Sequence, residues 1–288
     1  RDLVRSRGLG DVYKRQLWGR ADGKKVTITT SWNNRTYRTS TDKDGNWLVK
    51  VDTPAGGYTP YSITISDGTP VTLSDILIGE VWICSGQSNM EMRMMGNSAQ
   101  PVDNSLETIL NAGNYRDRIR FITVPRIKNI QKRTDFEGKK WEVSSPETTI
   151  DCSATGYFFA KQLTQSLNLP VGLVINSWGG SAIEAWMDEQ TLSTIEGMNI
   201  EAAKSPKRDV RQRLECLYNL MLWPVKNFTA RGFLWYQGES NISNYQFYAP
   251  MMTAMVQLWR NVWEAPDMPF YYVQIAPYKY KNSCLLYT

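Results

Sequence analysis

The chain of 288 residues is long enough for one large domain, or for a medium domain with a small one. Its apolar content of 42% and charged content of 21% are those of an ordinary globular protein, and no run approaches the roughly 20 apolar residues of a membrane span. The net charge of +5 is scattered along the chain without a long basic block, which argues against a nucleic-acid-binding protein.

Residues 1–16 are strongly basic and show neither helical nor strand periodicity. We interpret them as a non-native tail, and we give residues 283–288 the same interpretation. Both ends are therefore left out of the fold prediction.

Residues 17–77 form a distinct section of short strands separated by turns. Alternating residues predict strands over 26–30 and 37–41, and Asp44-Gly45-Asn46 is typical of a hairpin turn before a strand at 47–51. Short strands broken by turns every 8–12 residues or so indicate a small β-sandwich.

Residues 78–282 alternate apolar strands with helices. This alternation predicts an α/β domain of three layers with a mostly parallel sheet. The predicted strands are 78–84, 119–124, 171–175, 232–236 and 270–275, and the predicted helices are 155–167, about 183–228 with two interruptions, and 245–264.

Three of these strands end in small, polar turns that contain glycine. The turns are Ser85-Gly-Gln-Ser-Asn89, Trp178-Gly-Gly-Ser181 and Gln237-Gly-Glu-Ser-Asn241. In a parallel sheet all three fall on one edge, where open α/β sheets bind ligands. Glycine ends many strands for conformational reasons alone, but together these turns bring a hydroxyl, backbone N–H groups and a side-chain amide to one place. Those groups are the parts of a nucleophile and an oxyanion hole.

The segments GEVWICSGQSNMEM, NSWGGSAIEAWM and GFLWYQGESN also resemble the successive motifs of the sialate O-acetylesterase-like carbohydrate esterases. These enzymes belong to the SGNH (GDSL-like) hydrolase superfamily. The resemblance covers roughly residues 17–281 and implies a flavodoxin-like SGNH hydrolase fold, with no metal or organic cofactor.

The resemblance also implies roles for individual residues. Ser88 is similar to the catalytic nucleophile of the family. The backbone N–H groups of Ser88 and Gly180 (or Gly179), with the side chain of Gln237, would form the oxyanion hole.

Glu239 and Asn241 match the third motif as supporting residues. For both, the alternative is a buried polar group that only orients the loop. Three tryptophans in the motifs, Trp178, Trp186 and Trp235, are candidates for sugar contacts, but we expect packing to be their main role.

The chain contains no histidine, although a serine nucleophile normally needs a base of that kind. The family takes its base from a later Asp-x-x-His motif, so we expect that the C-terminal part of the domain is absent and that this chain is inactive or weak. The four cysteines, Cys84, Cys152, Cys216 and Cys284, lack the spacing of a zinc site, and their disulfide state is left open.

For the whole protein the resemblance implies a serine-dependent O-acetylesterase that acts on O-acetylated sialic acid through an acetyl-enzyme. An acetylxylan esterase on the same fold and a non-catalytic glycan-binding protein are the alternatives. The expected partner is an acetylated glycan rather than nucleic acid. Because such glycans lie outside the cytoplasm, we expect a secreted or periplasmic protein.

Overall fold

The computed structural model describes residues 3–5, 13–128, 131–136 and 139–276. Its strands are β1 (Leu3–Arg5), β2 (Tyr13–Arg20), β3 (Lys25–Thr30), β4 (Thr36–Ser40), β5 (Asn46–Thr53), β6 (Gly57–Ser66), β7 (Pro70–Gly86), β8 (Ile119–Thr123), β9 (Glu142–Val143), β10 (Val171–Ser177), β11 (Gly232–Tyr236) and β12 (Phe270–Tyr272).

The α-helices are α1 (Ser88–Glu91), α2 (Ser105–Leu110), α3 (Pro146–Thr149), α4 (Ala154–Leu167), α5 (Glu189–Leu192), α6 (Ile200–Lys204) and α7 (Tyr248–Val262). Four 3-10 helices (Ala112–Tyr115, Ile183–Trp186, Trp223–Val225 and Glu239–Phe247) and a π-helical turn (Tyr218–Leu222) complete the secondary structure of the described residues.

The predicted parallel sheet is confirmed. β7 lies at its centre and pairs in parallel with β10 on one side and β11 on the other. β8 extends the sheet beyond β10, and β12 extends it beyond β11, both in parallel. The carboxyl ends of β7, β10 and β11 therefore meet at one edge, because parallel neighbours run in the same direction.

Alternate residues of β7 serve the two faces of this sheet, as a strand buried on both faces requires. Cys84 faces α4, where Gly156 lets the helix approach closely. Ile83 faces the opposite layer, a core that contains α7 and several tryptophans. The helices that pack on both faces of the sheet confirm the α/β class. Within the described residues, they do not cover the carboxyl ends of the strands, where a ligand can bind.

The β-rich section joins the parallel sheet through β7, which runs without interruption from Pro70 to Gly86. Its first half pairs antiparallel with β6 and its second half is the central parallel strand. β3 and β4 continue the antiparallel part of the sheet, while β2 and β5 form a separate two-stranded sheet. A small core containing Val26, Ile28 and Trp47 lies between them. The division of the chain at residue 77 thus falls inside one strand, and the domain boundaries stay a prediction.

One local prediction in the first part of the chain is wrong. The turn at Asp44-Gly45 is present, but it does not close a hairpin, because β4 pairs with β3 and β5 pairs with β2. Residues 1–16 were left out of the fold prediction; in the structure β1 pairs with β7, and residues 13–16 belong to β2. Whether residues 1–16 are non-native stays a prediction, and residues 283–288 lie outside the described residues.

The long helical stretch expected over 183–228 is also wrong. The chain there breaks into short 3-10, α and π turns, two of which begin at side-chain caps from Asp188 and Asn199. Strand 270–275 is shorter than expected and ends at Tyr272. Helices 155–167 and 245–264 are confirmed as α4 and α7 within a few residues.

Gly86, the last residue of β7, has a backbone conformation and surroundings that leave no room for a side chain. Its φ of +132° lies in the region that favours glycine, and a Cβ there would overlap the Tyr236 carbonyl group. We therefore expect Gly86→Ala to lower the free energy of unfolding by about 3 kcal/mol or more, since backbone strain and overpacking each cost about 1–3 kcal/mol. Urea denaturation measures this loss. Gly113→Ala is the matched control, because no atom lies within 4 Å of its Cβ position, and an equal loss in both variants would contradict the prediction.

Candidate active site

Ser88 stands at the first turn beyond the carboxyl end of β7. Gln87 N–H donates to the Tyr236 carbonyl oxygen at 2.9 Å, which fixes the turn against the end of β11. Ser88 is exposed, although the residues just before it are buried. It is also the first residue of α1, where a backbone N–H has no acceptor within its own helix. The hydroxyl and the N–H predicted for the site are thus both available.

The second turn touches the first one. Trp178 N–H donates to the Gly86 carbonyl oxygen at 3.1 Å, and a Cβ built on Gly179 would lie 3.6 Å from the Cβ of Ser88. Gly179 N–H already donates to the Glu91 carboxylate. Gly180, at φ +75°, makes no backbone N–H hydrogen bond within the described residues. Of the two predicted glycines, Gly180 is therefore the better candidate for an oxyanion donor.

Gln237 lies at the end of β11, where it is 3% exposed. Its Nε2 donates to the Ser181 carbonyl oxygen at 2.9 Å and to Asn241 Oδ1 at 2.8 Å. Its Oε1 accepts from the Tyr248 hydroxyl at 2.7 Å. Burial raises the pKa of Tyr248, so the phenol stays protonated and can donate. Both amide hydrogens are thus engaged within the protein. The oxyanion role of Gln237 stays a prediction, and it requires one of these two bonds to be exchanged.

Glu239 and Asn241 tie the third turn to its neighbours. Glu239 Oε1 accepts from the side chain of Asn89, the residue after Ser88, at 2.8 Å. Asn241 is buried, accepts from Ile183 N–H at 3.0 Å and donates to Glu184 at 2.7 Å. These contacts are those of groups that orient a loop, and neither side chain contacts Ser88 through a hydrogen bond in the described residues.

Sequence reasoning missed Glu184 and Ser181, two polar groups buried behind the site. Glu184 is 1% exposed and also accepts from Asn244 at 2.8 Å. Ser181 Oγ donates to the Gly86 carbonyl oxygen at 3.2 Å and accepts from Trp186 Nε1 at 3.1 Å. Because unpaired buried polar groups are costly, this network fixes the second and third turns relative to the first.

Three further charged residues, Glu91, Arg126 and Arg211, lie around α1 and the second turn. Glu91, three residues after Ser88 on α1, forms an ion pair of 2.9 Å with Arg126. Arg211 Nη1 donates to the Gly179 carbonyl oxygen at 3.1 Å, and its Nε donates to Asp209 at 2.7 Å. The hydrogen bond to Asp209 raises the pKa of Arg211. Only the position of Glu91 within the first motif could have indicated any of these contacts.

Two of the three candidate tryptophans have the packing role that was expected for them. Trp186 and Trp235 are fully buried and meet edge to face, with ring centroids 6.0 Å apart. Trp178 is half-buried at the second turn. Packing is therefore confirmed for Trp186 and Trp235, and of the three only Trp178 can still meet a ligand.

The family model for "Carbohydrate esterase, sialic acid-specific acetylesterase" matches residues 78–286. The chain belongs to this family. The match covers the parallel sheet and all three turns, so the exposed Ser88 and its glycine neighbours lie within the family's own domain.

Several curated proteins similar to this chain are sialate O-acetylesterases. The sialate O-acetylesterase of Mus musculus is 27% identical over 318 residues, and that of Homo sapiens is 28% identical over 298 residues. Each alignment covers 93% of this chain, but 58% of the mouse and 54% of the human protein. The chain thus spans a little over half the length of these curated relatives.

A solved structure supports the fold. The chain superposes on a carbohydrate acetylesterase from Xanthomonas citri with a TM-score of 0.80 and 29% identity, over 96% of this chain and 58% of that one. This match confirms the predicted α/β fold with a mostly parallel sheet and shows that a carbohydrate acetylesterase has the same fold. In the part of the chain that the structure describes, no helix is both long and apolar enough to cross a membrane.

Proposed function

We propose that the whole protein is a serine-dependent carbohydrate O-acetylesterase that removes acetyl groups from O-acetylated sialic acid. The observation that carries this proposal is the exposed Ser88 beside a glycine turn that is hydrogen-bonded to the end of β7, in a chain that belongs to a family of sialic acid-specific acetylesterases. The names of its relatives support the same substrate class. A secreted or periplasmic location follows from substrates of this kind.

The reaction divides into two acyl transfers. Ser88 Oγ attacks the acetyl carbonyl carbon while its proton passes to a base. The N–H groups of Ser88 and Gly180 stabilise the oxygen that becomes negative. The bond to the sugar oxygen then breaks, that oxygen takes the proton, and an acetyl-enzyme remains. Water attacks the acetyl group in the second step, which releases acetate and restores the hydroxyl.

The 288 residues include no histidine, the usual base for a serine nucleophile. We therefore expect the 288 residues alone to hydrolyse p-nitrophenyl acetate barely above the buffer rate. In a serine protease, loss of the nucleophile or the histidine lowers turnover about 10⁶-fold. The rate enhancement that remains comes from the oxyanion hole and from substrate binding. Imidazole added to the solution should raise the protein's rate, since it can take the proton from Ser88.

The control for this rescue is Ser88→Ala, measured at the same imidazole concentrations. It corrects for the direct reaction of imidazole with the ester. An equal increase in both proteins would show that imidazole does not act through Ser88. A high rate without imidazole would instead point to another base, such as Glu239 or a lysine.

A further inference from the structure

Arg211 is held at the glycine turn that touches the nucleophile. Its Nη1 donates to the Gly179 carbonyl oxygen, and its guanidinium lies 3.3 Å from the position of a Cβ on Gly180. Nε is engaged by Asp209. Nη2 has no hydrogen-bond partner among the described residues, and the side chain is 39% exposed. The protein therefore holds the guanidinium through Nε and Nη1, while Nη2 is left free to donate next to the glycine turn.

Other charged groups lie around this arginine. Arg126 forms an ion pair with Glu91, whose carboxylate accepts from Gly179 N–H, and Lys128 acts electrostatically on Asp209. Arg211 and Lys128 both hold the pKa of Asp209 below its usual value, with the hydrogen bond from Arg211 as the main cause. Asp209 therefore stays ionised and orients the guanidinium instead of being replaced by a ligand.

A purely structural role for Arg211 is the simplest alternative. As a clamp on the Gly179 carbonyl, it would position the turn for any ester. A clamp, however, requires neither an exposed face nor the second anchor at Asp209, which aligns the planar fork. An exposed arginine whose orientation is already set and whose Nη2 is free is well suited to bind a carboxylate.

We propose that Arg211 is a specificity-determining residue that binds the carboxylate of an acidic sugar while the sugar's acetyl ester lies at Ser88. This inference rests on the function proposed above and narrows its substrate class. An acetylated sugar acid, such as a sialic acid, engages the guanidinium. A neutral acetylated sugar, such as a xylose unit of xylan, leaves it unpaired.

The test compares the methyl glycoside of a sialic acid with its carboxyl methyl ester, in which a methyl group removes the negative charge. Binding to the 288-residue chain is measured by NMR titration, so the result does not depend on the catalytic base. We expect the acid to bind about 10-fold or more tightly than the ester, and Arg211→Gln to remove that difference. Higher salt should weaken binding of the acid more than binding of the ester.

The matched control is Arg116→Gln, which removes the same charge from an exposed arginine before β8, at the opposite edge of the sheet. It should leave the preference for the acid unchanged. Equal binding of acid and ester by the unaltered chain, binding of neither, or a preference that survives in Arg211→Gln would overturn the proposal. Equal loss of both ligands in Arg211→Gln would show a clamp alone. If Ser88→Ala has no effect on hydrolysis but the chain still prefers the acid, the proposed esterase activity is rejected and the proposed binding site for acidic sugars is kept.

Discussion

In a protein of the same length as its relatives, Ser88→Ala should lower the turnover of an O-acetylated sialic acid about 10⁶-fold, the loss seen when a serine protease loses its nucleophile. The reason is that no acetyl-enzyme can form without the hydroxyl, and only the oxyanion donors and substrate binding remain. Release of acetate over time measures this change. Ser98→Ala, at an exposed serine outside the site, should keep the unaltered rate.

A serine-directed phosphonate provides an independent measurement. The unaltered protein should gain one adduct on the peptide that contains Ser88, and Ser88→Ala should gain none there. Sugar binding by Ser88→Ala should be largely unchanged, because the side chain is small and exposed. Turnover that survives in Ser88→Ala would favour the rival interpretation, in which the protein binds glycans and the measured hydrolysis has another source.

The sequence was sufficient to predict which strands meet at the site. Strands β10 and β11 are mostly apolar and are followed by turns that contain glycine, so both strands could be recognised without a structure. Once the sheet is parallel, the three turns must share an edge. The position of Ser88 beside Gly179 follows from this topology, and the resemblance to an esterase family added the reaction.

The hydrogen-bond partners within the site could not be predicted in the same way. Gln237 was expected to face the oxyanion, but its amide is engaged by Ser181 and Asn241. Arg211 reaches Gly179 from 32 positions away along a stretch expected to be helical. Such contacts depend on how irregular segments fold over the strand ends, and those segments carry no periodic pattern from which their path could be inferred.

The pairing of β5 shows the same limitation at the level of strands. The Asp44-Gly45 turn is a local signal, and the turn is present. Whether the two flanking strands then pair depends on burial, and Trp47 turns β5 into the small core between the two sheets. Tertiary packing therefore decided the partner, while the local sequence decided only the turn.

Trp186 joins the core to the site, and its loss should destabilise the protein much more than the loss of Trp178. The side chain is fully buried against Trp235 and Trp259, and its carbonyl oxygen accepts from Trp259 Nε1 at 3.1 Å. Truncation of a buried tryptophan leaves a cavity, so we expect Trp186→Ala to lower the free energy of unfolding by about 3–5 kcal/mol. Urea denaturation followed by circular dichroism measures the loss.

Trp178→Ala is the matched control, since Trp178 belongs to the same motif but is only half-buried. Its loss should be clearly smaller, and equal losses in the two variants would contradict the assignment of Trp186 to the core. Trp186→Phe separates packing from polarity, because it keeps most of the ring but removes the N–H that reaches Ser181 Oγ. If that hydrogen bond positions the second turn, Trp186→Phe should slow phosphonate labelling of Ser88 at temperatures where the protein remains folded. Unchanged labelling would limit Trp186 to packing.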